Sequence, residues 1–234
     1  MTRTPTSRQP SKDDQAEATR QRLKIAAQRL FSDRGIDGVS VRDIVAAAGL
    51  RNGASLHYYF GSKDKLIRDL VIDGAIRSDS ARCAALDALA ARDRAPSVHD
   101  IVRMLVEVET QPQNAAEGDG ASGQTGFGHM RFIVSLQTNH RRLMDEALRD
   151  HDNIGYRRCL DHMRARLPHI PTEVLNQRFI FMYITLITSL AARETAFEAD
   201  PTGGKLWSSP LALPNLVSTM AAGIEADWPD NASS

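Results

Sequence analysis

The sequence predicts an all-α chain in two parts, a small N-terminal three-helix unit followed by a larger helical body. Three observations predict it. Ala, Leu and Arg are abundant and no stretch sustains the alternation of a strand, so helix formers set the local preference. Residues 19–70 hold three helix-period apolar patterns punctuated by glycines. Charge is divided along the chain: residues 1–70 carry 13 Lys and Arg against 8 Asp and Glu, and the remainder 16 against 21. A net charge of zero therefore conceals a basic head on an acidic body, which suits a polyanionic partner at one end only.

The first pattern places Leu23, Ile25, Ala26, Leu30 and Phe31 on one side of a helix that ends at Arg34-Gly35. The second opens at Ser40, three residues ahead of Asp43, a capping-box spacing with Asp in place of Glu or Gln. Ile44 and Val45 are its buried side, and Gly49 stops it. The third is expected from Asn52 to Phe60, with Leu56 and Phe60 one turn apart and turned inward. Two short helices joined by a glycine turn make a helix-turn-helix, whose second helix can enter a DNA major groove.

With Leu56 and Phe60 inside, the 100° helical step turns Arg51, Ala54, Ser55 and Tyr58 outward and leaves Asn52, His57 and Tyr59 on the flanks. Gly53 and Ala54 are small enough for close approach to a groove floor, and Ser, Asn and His can hydrogen-bond base edges. Ala54 can meet a thymine methyl. The hydroxyls of Tyr58 and Tyr59, together with Ser40, Arg42 and Lys63, are candidates for phosphates. Ser62 is placed to cap the helix after it.

At these residues the segment resembles the DNA-binding domain of TetR-type (TetR/AcrR) transcriptional regulators. The resemblance rests on Leu30-Phe31 ahead of Gly35, on Ser40-Val41-Arg42-Asp43-Ile44, on Ala48-Gly49, and on His57-Tyr58-Tyr59-Phe60 followed by Gly61-Ser62-Lys63. One residue more than usual lies between the turn glycine and the phenylalanine, falling among Arg51 to Ser55. The resemblance implies a sequence-specific regulator, a homodimeric repressor responding to a small-molecule effector and reading a palindromic operator in double-stranded DNA. An activator of the same fold, or a protein-interaction module with a degenerate DNA head, are the alternatives. It also implies that the connecting helix transmits the effector signal. The last two helices, at about 172–199 and 214–226, would pair with their copies in a four-helix dimer interface.

On this reading residues 1–15 are a polar, proline-containing tail, with Arg3, Arg8 and Lys12 a possible basic arm. Residues 16–65 form the DNA-binding domain and 66–230 the effector-binding and dimerisation domain. Cys83 and Cys159 are far apart with no CxxC spacing, which fits a reducing cytoplasm. No apolar leader and no uninterrupted membrane-length apolar run are apparent, so no membrane partner is expected.

In the body, Leu66, Leu70 and Ile76 have core spacing, though Gly74 weakens the middle of their helix. A second helix is expected from Val98 to about Gln111. The glycine-rich run 113–128 reads as a flexible connection, possessing neither GxGxxG nor GK[ST]. Residues 129–167 read as one or two helices. His140, His151 and His162 recur every 11 residues, but on a straight helix that is about 16 Å, too far to share a metal ion. No metal and no cofactor are expected. No HExxH, GxSxG or usable Cys/His spacing occurs, so catalysis is not expected either. The helix after Pro171 is apolar almost all round, so one face covers the core and the other needs a partner. The effector pocket is sought among the helices of 98–199, with Phe132, Leu136, His140, Phe179, Met182 and Tyr183 as lining candidates. The final helix is expected to begin with Pro214 at its first position.

Overall fold

The computed structural model describes residues 11–92, 94–110 and 128–228, and every regular element among them is helical. In chain order these are α1 (Lys12–Arg34), α2 (Val41–Ala47), α3 (Ala54–Phe60), α4 (Lys63–Ala90), α5 (Val98–Thr110), α6 (His129–Asn139), α7 (Arg141–Leu148), α8 (Ile154–Arg166), α9 (Thr172–Ala199), the single turn α10 (Gly204–Trp207) and α11 (Ala212–Glu225). They divide into two compact units, Met1–Leu70 and Val71–Ser234, with the division falling inside α4.

The first unit begins earlier than the sequence suggests. Ser11 and Asp14 form a capping box, Ser11 Oγ accepting from Asp14 N at 3.1 Å and Asp14 Oδ2 from Ser11 N at 2.9 Å. Two orphan amides are thereby satisfied, so Lys12–Gln15 belong to α1 and not to a tail. Arg3 and Arg8 lie outside the described residues. The inner face of α1 is Leu23, Ala26, Ala27 and Phe31; Ile25, expected there, is 43% exposed because it sits off that stripe. Gly35 closes α1 at φ +71°, a conformation that strains any residue with a Cβ. Phe31, Ile44, Leu56, Leu66 and Ile67 are fully buried, so α1, α2, α3 and the first two turns of α4 share one core. Each such side chain contributes about 1.5–3 kcal/mol by burial.

In the second unit, α9 packs against α6 and α11, and α5 against α11 and α8. The core joins Ile101, Val102 and Leu105 of α5 to Met163 of α8, Phe179 and Leu186 of α9, and Val217 and Ile224 of α11. Where one or two helices were expected over 129–167 there are three. The chain turns at His140 (φ −132°, ψ 34°) and again between Leu148 and Ile154, so His140 and His151 fall in connections while His162 lies in α8. Ile76, expected in the core, is exposed on α4. α11 starts at Ala212, two residues before the expected start, and Pro214 sits in its first turn, where no intrahelical donor is required. α9 is long and apolar enough over an 18-residue window to meet the composition of a membrane span, contrary to the sequence expectation. Seven of its side chains, from Leu175 to Ala191, are nonetheless buried in the bundle.

α6 and α8 have no side-chain cap from their own N-cap residues, Gly128 and Asn153. Each takes one from another helix. Glu194 of α9 accepts from Met130 N at 3.1 Å and Arg131 N at 3.0 Å. Asp79 of α4 accepts from Gly155 N at 2.8 Å and Tyr156 N at 3.2 Å. A negative oxygen at a helix N-terminus meets both the orphan amides and the positive end of the dipole. Gly155 permits the second arrangement, since a Cβ there would lie 2.8 Å from Asp79 O.

Candidate nucleic-acid interface and effector cavity

α2 and α3 make the helix-turn-helix of the first unit. Ser40 caps α2, its hydroxyl accepting from Asp43 N at 3.2 Å and donating to Asp43 Oδ2 at 2.6 Å. These bonds hold the Asp43 carboxyl below its ordinary pKa. The Ser40 hydroxyl thus serves the fold first. α3 begins at Ala54 and not at Asn52, because Asn52 Oδ1 accepts from Ala54 N at 2.9 Å and folds the preceding turn over the helix start. Arg51, Asn52 and Gly53 therefore lie in an exposed turn. Leu56 and Phe60 are buried, whereas Ala54 and His57 are exposed, Ser55 and Tyr59 are half-buried, and Tyr58 is 83% exposed. Tyr58 and Tyr59 meet edge to face at 4.9 Å between centroids. Arg42 is exposed on α2.

Lys63 departs from the outward phosphate clamp expected of it. Its ammonium donates to Ile36 O at 2.5 Å and Val39 O at 2.6 Å, and lies 5.6 Å from the Phe31 ring centroid. Two of its three donors are thus occupied in fastening the α1–α2 connection to the start of α4. Sequence reasoning missed Arg20 altogether. Its guanidinium donates to Tyr59 O at 3.4 Å, pairs with Asp69, and stacks 4.7 Å from the Phe60 centroid. One α1 side chain thereby fixes the C-terminal end of α3. Its signal was a basic residue one turn before Leu23, three residues back and near the core edge.

The second unit holds a half-open cavity of about 510 Å³, within the size range of small-molecule sites. Of the six lining candidates, Phe179 and Tyr183 face it. Phe132, Leu136 and Met182 are instead buried core, and His140 sits at the α6–α7 junction off the cavity wall. Much of the wall is apolar, for example Met130, Ile133, Leu160, Ile184 and Ile187. A polar group missed by sequence reasoning faces in from α4 and its neighbours. Arg82 donates to Glu109 Oε1 at 2.5 Å and Asn153 Oδ1 at 3.4 Å and lies over the Tyr156 ring at 5.5 Å; Ser78 donates to Glu109 Oε2 at 3.2 Å. Burial pushes the Tyr156 and Tyr183 phenols up and keeps them protonated. His129 lies against Gly74, where a Cβ would come within 2.6 Å of its ring. Burial pushes its imidazole down to about 4, so it is neutral at pH 7. The signal available in sequence was the four-residue spacing of Gly74, Ser78 and Arg82, a row along one helix face. Among the described residues no cluster of His, Cys, Asp and Glu could hold a metal ion.

Residues 25–70 match the family model for bacterial regulatory proteins, tetR family. The HTH-type transcriptional repressor AcnR of Corynebacterium efficiens is 27% identical over 68% of this chain and 74% of its own length. The HTH-type transcriptional repressor KstR2 of Mycolicibacterium smegmatis is 34% identical over 27% of this chain and 31% of its own. A solved structure from Mesorhizobium loti MAFF303099, assigned to the TetR-family transcriptional regulators, shares the fold with a TM-score of 0.51 at 15% identity, over 90% of this chain and 95% of that one. Residues 25–70, which hold α2 and α3, thus carry the N-terminal domain of the tetR family of bacterial regulatory proteins, and the helical body behind them shares the fold of a solved regulator structure.

Proposed function

We propose that this protein is a cytoplasmic, homodimeric transcriptional repressor that reads a palindromic operator through α2 and α3 and responds to a small molecule held in the cavity of its second unit. The observation that carries the reading is the outer face of α3. Ala54, His57 and Tyr58 stand clear of the core, on a helix whose other side is locked by Leu56, Phe60 and Arg20. Small and hydrogen-bonding side chains on a fixed helix are what base-edge recognition requires, with Arg42, Arg51, Tyr58 and Tyr59 available to phosphates. Repression is favoured over activation because AcnR and KstR2 are both described as repressors.

Self-association is supported by α9 and α11. Phe181 is 64% exposed on α9, next to Ile180 and Ile184, which are partly exposed and also border the cavity. On α11, Ala222 and Gly223 are exposed, and a Cβ added at Gly223 would meet nothing within 4 Å. An exposed aromatic on α9 and exposed small residues on α11 suit close helix packing against a second copy. A two-fold dimer would read half-sites about 34–36 Å apart. An effector preferring one separation of the two heads would shift the population towards or away from the DNA-competent state.

The test is selection from random duplex DNA with purified protein at two salt concentrations, followed by sequencing. A palindromic motif whose affinity falls steeply with salt is the expected result. No enrichment above background would refute operator reading and leave a protein-interaction module.

A further inference from the structure

An effector site in the second unit leaves its occupant unnamed. Resting on that reading of the cavity, we propose that it selects an uncharged, mostly apolar molecule carrying one hydroxyl or carbonyl, and that His129 of α6 is the side chain that reads that group. His129 is 6% exposed, lines the cavity, and has no hydrogen-bond partner among the described residues. A neutral imidazole on the cavity wall presents one N–H donor and one bare nitrogen acceptor to whatever fills the cavity. A hydroxyl can answer either nitrogen, and a carbonyl answers the N–H.

The charged groups on the wall argue against an ionised ligand head beside it. Arg82 and Glu109 neutralise each other, Glu109 being further held by Ser78. Arg164 is taken by Asp161 at 2.7 Å and by Asn176 at 3.0 Å. Arg141, its side chain 71% exposed, stands in solvent near Asp145. Glu109, Arg77 and Arg82 all act on His129, so a carboxylate placed there would meet Glu109 and an ammonium the two guanidiniums, each of these charges being already engaged elsewhere. The position of the imidazole is itself set by glycine. At Gly74 any side chain would push the ring off α4 and into the cavity.

The experiment uses the full-length protein and a matched set of probes: decanol, decanoate and decylamine. Binding is measured by calorimetry, and release of the selected operator duplex is followed in parallel. Decanol is expected to bind roughly tenfold or more tighter than either charged probe. His129→Phe should weaken decanol roughly tenfold, while His129→Gln, which keeps a donor and an acceptor, should restore most of it. Circular dichroism of both variants reports whether they fold. Tightest binding by decanoate or decylamine, equal binding of all three, no binding by any, or a folded His129→Phe variant with unchanged decanol affinity would each overturn the proposal. The two readings separate cleanly. Decanol preference without operator release sinks the effector reading and leaves the ligand class standing, whereas operator release by a charged probe alone does the reverse.

Discussion

Replacing Lys63 by Met keeps the aliphatic stem and removes the ammonium, which isolates its contacts to Ile36 O, Val39 O and the Phe31 ring. Hydrogen bonds from a charged donor are worth about 1.5–3 kcal/mol each, and a partly exposed cation–π contact about 0.5–1 kcal/mol. The side chain is half-buried, so water reaches some of the freed carbonyl capacity. A net loss of about 2–3 kcal/mol from the first unit is therefore expected. For a unit of this size each kcal/mol lowers the melting temperature by roughly 4–8 °C, so its transition should fall by about 10–20 °C in a calorimetric scan. The same variant should bind operator more weakly with an unchanged dependence on salt, because it loses the placement of α2 and not a phosphate contact. A folded variant of unchanged melting temperature, whose salt slope drops by about one, would refute this and restore Lys63 as a phosphate clamp.

Ser55→Ala and His57→Ala should alter the preferred operator sequence, costing about 1–3 kcal/mol at the affected base pair; equal losses on specific and random duplexes would remove both from base reading. Asp79→Ala leaves Gly155 N and Tyr156 N without their acceptor at a buried site and should cost about 2–3 kcal/mol, read as an earlier transition in urea. The imidazole of His129 titrates at about 4 in the folded chain against an ordinary 6.5. The unfolded chain thus binds the extra proton first, and stability should fall as pH drops from about 6.5 to about 4, by roughly 3 kcal/mol over the window. Denaturant titrations across that range should show the slope in the native protein and lose it in His129→Phe; an unchanged slope would show that other groups cause it.

The first unit was legible because its signals are local. Ser40 and Asp43 cap α2 from three residues apart, and Leu56 and Phe60 sit one turn apart, so spacing alone places them. The errors lie where local chemistry competes with the pattern, as at Asn52, whose carboxamide folds the turn and shortens α3. The cavity was mostly illegible. Phe132, Leu136 and Met182 have the right size and hydrophobicity to line it, yet nothing in a linear pattern separates a side chain packed in core from one facing a void. The cavity is marked instead by polar residues on otherwise buried faces: Ser78 and Arg82, whose shared partner Glu109 lies 31 and 27 residues along the chain, and His129.

The borrowed carboxylates at the starts of α6 and α8 have a kinetic consequence. A helix of 11 or 13 residues is marginal on its own, and these two begin without a cap of their own. Glu194 lies 63 and 64 residues from the amides that it receives, and Asp79 lies 76 and 77 from its pair. Neither helix can therefore be secured before the chain has closed those long loops. In refolding followed by amide exchange, α4 and α9 should therefore gain protection before α6 and α8. In amide exchange, α6 and α8 should open in concert with the release of Glu194 and Asp79, at a cost below that of unfolding the α5–α9–α11 core.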